Sequence, residues 1–121
     1  LEGRDCGVTI GILPGDFKSD ANPHVDVIVP TGIGMMRNML VVKAADVIVS
    51  VAGGAGTLNE MTAAWQMGKT LISLSATGGW SKELAGKLID GRRPDTIIDA
   101  ADVAAAETAL AKLIGPVPDR T

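Results

Sequence analysis

The residues best suited to chemistry in this sequence form one glycine-rich stretch, GGAGTLNE, at positions 53–60. Glycines leave backbone N–H groups uncovered, and the unpaired N–H groups at the start of a helix attract anions. We therefore expect Gly53, Gly54, Gly56 and Thr57 to form a cradle for a phosphate or a similar oxyanion, with Thr57 adding its hydroxyl. A branched side chain at Gly54 is expected to fill this cradle and to oppose a positive φ angle.

Glu60, at the end of the same stretch, has two roles open to it. Thr57 and Glu60 stand three residues apart, as in a capping box, in which each side chain bonds the other residue's backbone N–H. In that role Glu60 only caps a helix, and the glycines are only turn residues. In the other role the Glu60 carboxylate contacts a ribose or a polar ring edge of a bound ligand.

A second glycine turn, TGIGMMRN at positions 31–38, repeats the logic of the first. Gly32 and Gly34 follow a strand and precede a helix, so the two turns would face one crevice. Arg37 falls in the first turn of that helix, where the helix dipole disfavours a cation. A bidentate contact with phosphate or carboxylate would compensate for this, and an arginine solvated at the surface is the alternative. Asn38 is expected beside Arg37 in the crevice.

The elements that must position these turns are read from the hydrophobic pattern and the turn residues. Short β-branched runs predict strands at residues 7–13, 25–29, 46–51, 70–74 and 96–98. Amphipathic patterns predict helices at residues 35–45, 57–67, 80–88 and 101–114. This alternation is typical of a parallel sheet with helices on both faces. We therefore predict an α/β, Rossmann-like three-layer fold with a mainly parallel β-sheet, in which ligands gather at the carboxyl ends of the strands.

Length and composition narrow the classes of partner. The 121 residues predict one domain, 1–121, with a tail at 115–121. A net charge of −3 without a basic stripe argues against nucleic acid, and no apolar run reaches the length of a membrane span. Cys6 and His24 are the only cysteine and histidine, so we expect no disulfide, no metal site and a cytoplasmic location.

Taken together, these motifs resemble the LOG-like Rossmann superfamily, whose hallmark PGGxGTxxE stretch corresponds here to residues 52–60. Within it, the sequence looks most like the branch of molybdenum cofactor carrier proteins. The stretches that support this branch are GILPG at 11–15, PTGIGMMRN at 30–38 and TGGW at 77–80. Many members carry the label "possible lysine decarboxylase", which no lysine of this sequence supports. Members usually begin with a strand, a helix and a second strand, a unit that we expect to be missing here through N-terminal truncation.

The resemblance implies a phosphorylated, nucleotide-like ligand, which in the carrier branch is the molybdenum cofactor, bound without cleavage. LOG enzymes instead cleave nucleoside 5′-monophosphates into base and ribose 5-phosphate, and by resemblance Arg37 and Glu60 would be the catalytic residues. The sequence departs from those enzymes at two positions: Asn38 stands where they have lysine, and Ala52 where they have proline. The carrier branch, by resemblance, keeps the arginine–asparagine pair.

We therefore expect a molybdenum cofactor carrier or a similar binding protein. The expected ligand-binding residues are Gly32, Gly34, Arg37, Asn38, Gly53, Gly54, Gly56, Thr57 and Glu60. A LOG-type phosphoribohydrolase of the cytokinin-activating kind is the first alternative, and a degenerate structural member that binds nothing is the second. Relatives in the superfamily are homo-oligomers, and the expected subunit face is the helix that bears Met35, Met36, Met39 and Leu40.

Overall fold

Strands and helices alternate along the chain in the computed structural model, which describes residues 7–115. The strands are β1 (Ile10–Leu13), β2 (Val27–Pro30), β3 (Val47–Val51), β4 (Thr70–Leu74) and β5 (Ile98–Ala100). The helices are α1 (Arg37–Ala44), α2 (Ala55–Gln66), α3 (Gly79–Leu84) and α4 (Val103–Ile114). Single 3₁₀ turns lie at Lys18–Asp20, Gly34–Met36 and Ser75–Thr77. The predictions for Cys6 and for the tail after residue 115 lie outside the described residues.

All strand pairings among the described residues are parallel, which confirms the predicted α/β class. β1 pairs with β2, and β3, β4 and β5 form a second sheet in that order. Where a single sheet was expected, residues 7–115 form two. No helix in this part of the chain is both long and apolar enough to cross a membrane.

The core lies around the three-stranded sheet. One cluster of buried side chains surrounds the indole of Trp65, and the other fills the space between α4 and strands β4 and β5. The members of the first are Val42, Met61, Ala63, Ala64, Trp65, Leu71 and Ile97, and those of the second are Ile72, Leu74, Ala100 and Ala106. No residue from 7 to 36 is buried, so the β1–β2 sheet adds little to either cluster.

The two ends of the predicted helix at 80–88 differ from the structure. The helix begins at Gly79 and already ends at Leu84, because Ala85 takes an extended conformation. The N–H of Gly86 then donates to the carbonyl of Ile97 at 2.8 Å. This long-range bond draws the chain away from the helix and towards the segment that leads into β5.

Arg93 closes the carboxyl end of α2. Its guanidinium donates to the carbonyl oxygens of Trp65 and Lys69 at 3.3 and 2.8 Å, lies 4.5 Å from the centre of the Trp65 ring and pairs with Asp95. The Trp65 indole N–H donates to Asp90 at 2.9 Å. Hydrogen bonds from Trp65 and from the backbone of Arg92 lower the pKa of Asp90 below its ordinary value of 3.8.

Candidate functional site

The turn between β3 and α2 presents a row of unpaired backbone donors. Helix α2 begins at Ala55, with Gly54 as its N-cap, and its first bond to this cap runs from the N–H of Leu58 to the carbonyl of Gly54 at 3.0 Å. Within residues 7–115, the N–H groups of residues 54–57 donate to no other part of the chain. These N–H groups lie at the positive end of the helix dipole, where an anion is stabilised.

The capping box of Thr57 and Glu60 is wrong. It requires Thr57 to be the N-cap, but α2 starts two residues earlier, and Gly54 makes no side-chain cap. Thr57 instead packs over Gly53, whose φ is +98° and at which any Cβ would collide with the Thr57 side chain. Glu60 therefore does not cap α2, and its side chain is half-buried.

The positive φ angle expected at Gly54 lies at Gly53 instead. Gly54 has φ −100°, and a Cβ built there or at Gly56 would meet nothing within 4 Å. Open space therefore lies in front of the unpaired donors. A side chain at Gly54 would occupy that space without colliding with the protein itself.

Thr57 and Glu60 line a small cleft beside β3. The cleft has a volume of about 90 Å³ and its wall is completed by residues 48–51 and Met61. Pockets that enclose whole small molecules usually have volumes of roughly 300–1,000 Å³. The cleft formed by residues 7–115 therefore suits a single phosphate-sized group, and the remainder of a nucleotide-sized ligand would extend beyond it.

The turn between β2 and α1 has its donors already in use. Gly32 and Gly34 adopt φ angles of +68° and +63°, and their N–H groups donate to the carbonyls of Gly15 and Pro14, each at 2.9 Å. A Cβ at Gly32 would also collide with the carboxylate of Asp16. These two glycines therefore shape a tight turn against the β1 loop, and their amides are less available to a ligand than those at 54–57.

Arg37 and Asn38 begin α1 after one 3₁₀ turn. The Nε of Arg37 is buried and has no hydrogen-bond partner within residues 7–115. Asn38 is only 4% exposed, and its side-chain amide donates to the side-chain oxygen of Asn59 at 3.1 Å. Since Asn59 lies in α2, this bond joins the beginnings of α1 and α2, the helices that follow the two glycine turns.

A third segment, which the sequence analysis did not single out for chemistry, is hydrogen-bonded to the β3–α2 turn. Ala52 has φ +49°, a strained value for a residue with a side chain, and its N–H donates to the Thr77 hydroxyl at 2.7 Å. The Thr77 hydroxyl in turn donates to the carbonyl of Leu74 at 2.5 Å. The N–H groups of Trp80 and Ser81 donate to the carbonyls of Gly53 and Ala52, each at 3.1 Å. We call residues 77–81 the clamp loop.

Buried serine hydroxyls connect the clamp loop to strands β3 and β4. The Ser81 hydroxyl donates to the carbonyl of Ala52 at 2.8 Å and lies 3.0 Å from the Ser50 hydroxyl, which lies 2.8 Å from that of Ser73. All three serines are at most 5% exposed. A Cβ at Gly79 would lie 2.5 Å from the carbonyl oxygen of Gly53, so only glycine allows this close approach. The glycine pair at 78–79 after a strand was the sequence signal for the clamp loop.

The other expected features are placed as follows. Met39 packs against the Trp65 core cluster, whereas Met35, Met36 and Leu40 are exposed. Within residues 7–115, no group of three His, Cys, Asp or Glu side chains is arranged to hold a metal ion.

Comparison with known proteins gives one family and several relatives. The model of the SLOG cluster4 family matches residues 4–108 of this chain. An uncharacterised protein of Archaeoglobus fulgidus is 37% identical over 68 residues, which make up 56% of this chain and 44% of that protein.

Two solved structures share the fold. The X-ray structure of TM1055, a structural genomics target, has a TM-score of 0.75 at 36% identity, over 88% of this chain and 65% of that one. The structure of the molybdenum cofactor binding protein from the phototrophic bacterium Rippkaea orientalis has a TM-score of 0.72 at 28% identity, over 89% and 63%. This chain spans less than two thirds of the length of each of these three relatives.

Proposed function

The chain belongs to the SLOG cluster4 family, and from this premise we propose that it binds the phosphate of a nucleotide-like ligand at the turn between β3 and α2. The membership fits the LOG-like superfamily that the sequence motifs resemble. The solved neighbour named as a molybdenum cofactor binding protein supports a ligand-binding role and makes that cofactor, a phosphorylated pterin, a candidate for the carried ligand.

The observation that carries the proposal is the row of unpaired N–H groups at residues 54–57. Residues 54–56 are exposed, so a ligand can reach these N–H groups, and several aligned donors at a helix start form a ready anion site. Gly54 and Gly56 leave the approach open, and Gly53 lets the Thr57 side chain fold over the turn.

Arg37 would supply the second half of the anion site. Its buried Nε is a donor for which residues 7–115 provide no acceptor. The bond between Asn38 and Asn59 fixes the start of α1 beside α2, so Arg37 begins its helix near the cradle. A guanidinium that forms a bidentate contact with phosphate would satisfy this donor and balance the charge. Gly32 and Gly34 would form the wall of the crevice on this side.

The size of the cleft decides how much of the ligand this chain holds. A cleft of about 90 Å³, lined by Thr57 and Glu60, has room for little more than one phosphate-sized group, and Glu60 would contact the group attached to the phosphate. A pterin or nucleobase would lie outside the cleft, where a further copy of the chain would cover it. We propose that the exposed Met35, Met36 and Leu40 belong to that subunit contact.

One observation also favours the hydrolase alternative. The Glu60 carboxylate is half-buried in the cleft and caps no helix, so it is free to stabilise the positive charge that builds on a ribose during N-glycosidic cleavage. Two other observations weigh against it. Asn38 is buried and hydrogen-bonded where LOG enzymes have lysine. Ala52 has a φ of +49°, which the proline of those enzymes could not adopt because its ring fixes φ near −65°.

The test measures binding and cleavage with one probe, AMP. A binding protein retains AMP in equilibrium dialysis and releases no adenine over hours. The Glu60→Gln variant then releases no adenine either. Adenine release that disappears in Glu60→Gln while AMP still binds would make the protein a phosphoribohydrolase. If the protein retains neither AMP nor inorganic phosphate, the degenerate alternative remains.

A further inference from the structure

We infer that the clamp loop, residues 77–81, positions the anion cradle, with Thr77 and Ser81 acting as positioning residues that do not touch the ligand. This inference rests on the proposed function, because it concerns the same site. It adds that a loop outside the glycine stretch, the one that follows β4, sets the direction of the N–H donors at 54–57.

The planarity of the peptide group fixes the direction of the N–H groups in the β3–α2 turn. In a trans peptide the C=O of one residue and the N–H of the next point in opposite directions. The carbonyl of Gly53 accepts from Trp80, so the N–H of Gly54 must face away from α3. The carbonyl of Ala52 accepts from Ser81 in the same way, which turns the N–H of Gly53 away as well.

Ala52 is held in a strained backbone conformation. A residue with a Cβ at φ +49° persists only where its surroundings enforce that conformation. Both polar groups of Ala52 are held: the N–H donates to Thr77 and the carbonyl accepts twice from Ser81. The clamp loop therefore supplies the restraints that this conformation needs.

The clamp loop is itself anchored to the sheet. Ser81 is fully buried and is joined through Ser50 to Ser73, so its hydroxyl is anchored in strands β3 and β4. Thr77 is anchored by its own bond to Leu74 at the end of β4. Because both residues are fixed to the sheet, they hold the turn in one conformation before any ligand arrives. Such preorganisation increases affinity by lowering the ordering cost of binding.

Thr77 offers the sharper substitution, because it is exposed and the protein should fold without its hydroxyl. Thr77→Val keeps the shape but removes the acceptor for the Ala52 N–H, whereas Thr77→Ser keeps the hydroxyl. Thr108→Ala is the matched control, since the Thr108 hydroxyl bonds only the carbonyl of Ala104, in α4. Ser81→Ala is the buried counterpart.

The experiment measures the dissociation constants of AMP and of inorganic phosphate for these variants, together with amide hydrogen exchange in ligand-free protein. We expect Thr77→Val and Ser81→Ala to weaken AMP binding about tenfold, the factor that corresponds to one lost hydrogen bond, and Thr77→Ser and Thr108→Ala to bind like the parent. The amides of Ala52 and Trp80 should exchange faster in Thr77→Val alone of the threonine variants.

The possible failures are distinguishable. If the parent binds AMP and Thr77→Val binds it equally well, the positioning role is overturned and the proposed function stands. If the parent binds neither AMP nor phosphate, the proposed function fails and the ligand-positioning role fails with it. In that case hydrogen exchange still decides whether the clamp loop holds the turn, and unchanged exchange at Ala52 and Trp80 in Thr77→Val would overturn that part too.

Discussion

The side-chain amide of Asn38 donates to the side-chain oxygen of Asn59 at 3.1 Å, across a separation of 21 residues. Asn38 is the second residue of α1, and Asn59 lies one turn into α2. The bond therefore joins the segments that follow the two glycine turns. It uses two uncharged side chains at a buried position, so the junction forms without the burial of a charge.

Asn38→Lys, which introduces the LOG residue, should destabilise the protein by about 2–4 kcal/mol. The lysine loses the bond to Asn59 and brings a charge to a position that is 4% exposed. Urea unfolding at neutral pH measures the loss. Gln66→Lys, at the exposed last residue of α2, is the control and should change the stability by less than about 0.5 kcal/mol. An Asn38→Lys variant as stable as its parent would contradict the importance of the junction.

Arg37→Ala should weaken AMP binding at least tenfold, because it removes a charge-assisted contact to phosphate. In the absence of ligand its free energy of unfolding should be unchanged or higher by up to about 1 kcal/mol, since the substitution also removes a buried donor that has no partner among the described residues. Calorimetric titration and urea unfolding measure the two quantities. Lys43→Ala removes the same charge from the exposed last turn of α1 and should leave AMP binding intact. Equal losses of AMP affinity in both variants would mean that Arg37 acts only through its charge and not through a direct contact with phosphate.

Substitution of the two neighbouring glycines should separate binding from stability. Gly54→Val should abolish phosphate binding at a stability cost of about 1 kcal/mol, because the valine fills open space and is a poorer N-cap. Gly53→Val should cost about 3 kcal/mol or more, since it combines a φ of +98° with a collision against Thr57. Thermal melting with and without phosphate distinguishes them. Phosphate binding that survives in Gly54→Val would rule out the cradle.

The carboxylate of Asp90 should make stability depend on pH in the acid range. Hydrogen bonds from Trp65 and Arg92 lower its pKa in the folded protein below the ordinary 3.8, so the folded state favours the ionised form. The resulting stabilisation is complete above the unfolded-state pKa and disappears as the pH falls through the lower folded-state value. The stability difference between the parent and Asp90→Asn, from urea unfolding followed by tryptophan fluorescence, should therefore shrink below about pH 4. A difference that is constant from pH 7 to pH 3 would contradict this linkage.

The local pattern predicted the elements well where neighbouring residues decide the conformation. The strand at 70–74 is bounded by the Gly68 turn, and its bounds are confirmed by β4. The parallel α/β class also followed from the alternation of strands and helices. The start of α2 was missed by two residues, because the threonine at position 57 looked like an N-cap while Gly54 holds that position.

The clamp loop could not be derived from the sequence in the same way. Its bonds to Ala52 and Ser50 connect residues 25 to 31 positions apart, and no local propensity encodes such contacts. The strained φ angle at Ala52 is equally invisible, since alanine carries no preference for that conformation. The ligand-binding roles of Arg37 and Glu60 stay predictions, which the variants above address.

Among the residues that the structure describes, the absence of burial from 7 to 36 has a consequence for the proposed ligand site. Because both hydrophobic clusters lie on the other sheet, we expect the β1–β2 segment of this chain to open before the core unfolds. If Gly32 and Gly34 form the wall of the site, that wall exists only while the segment is docked, and the apparent affinity equals the intrinsic affinity multiplied by the docked fraction. A ligand that spans both turns would then hold the segment docked in return, so that occupancy and local folding form a single equilibrium.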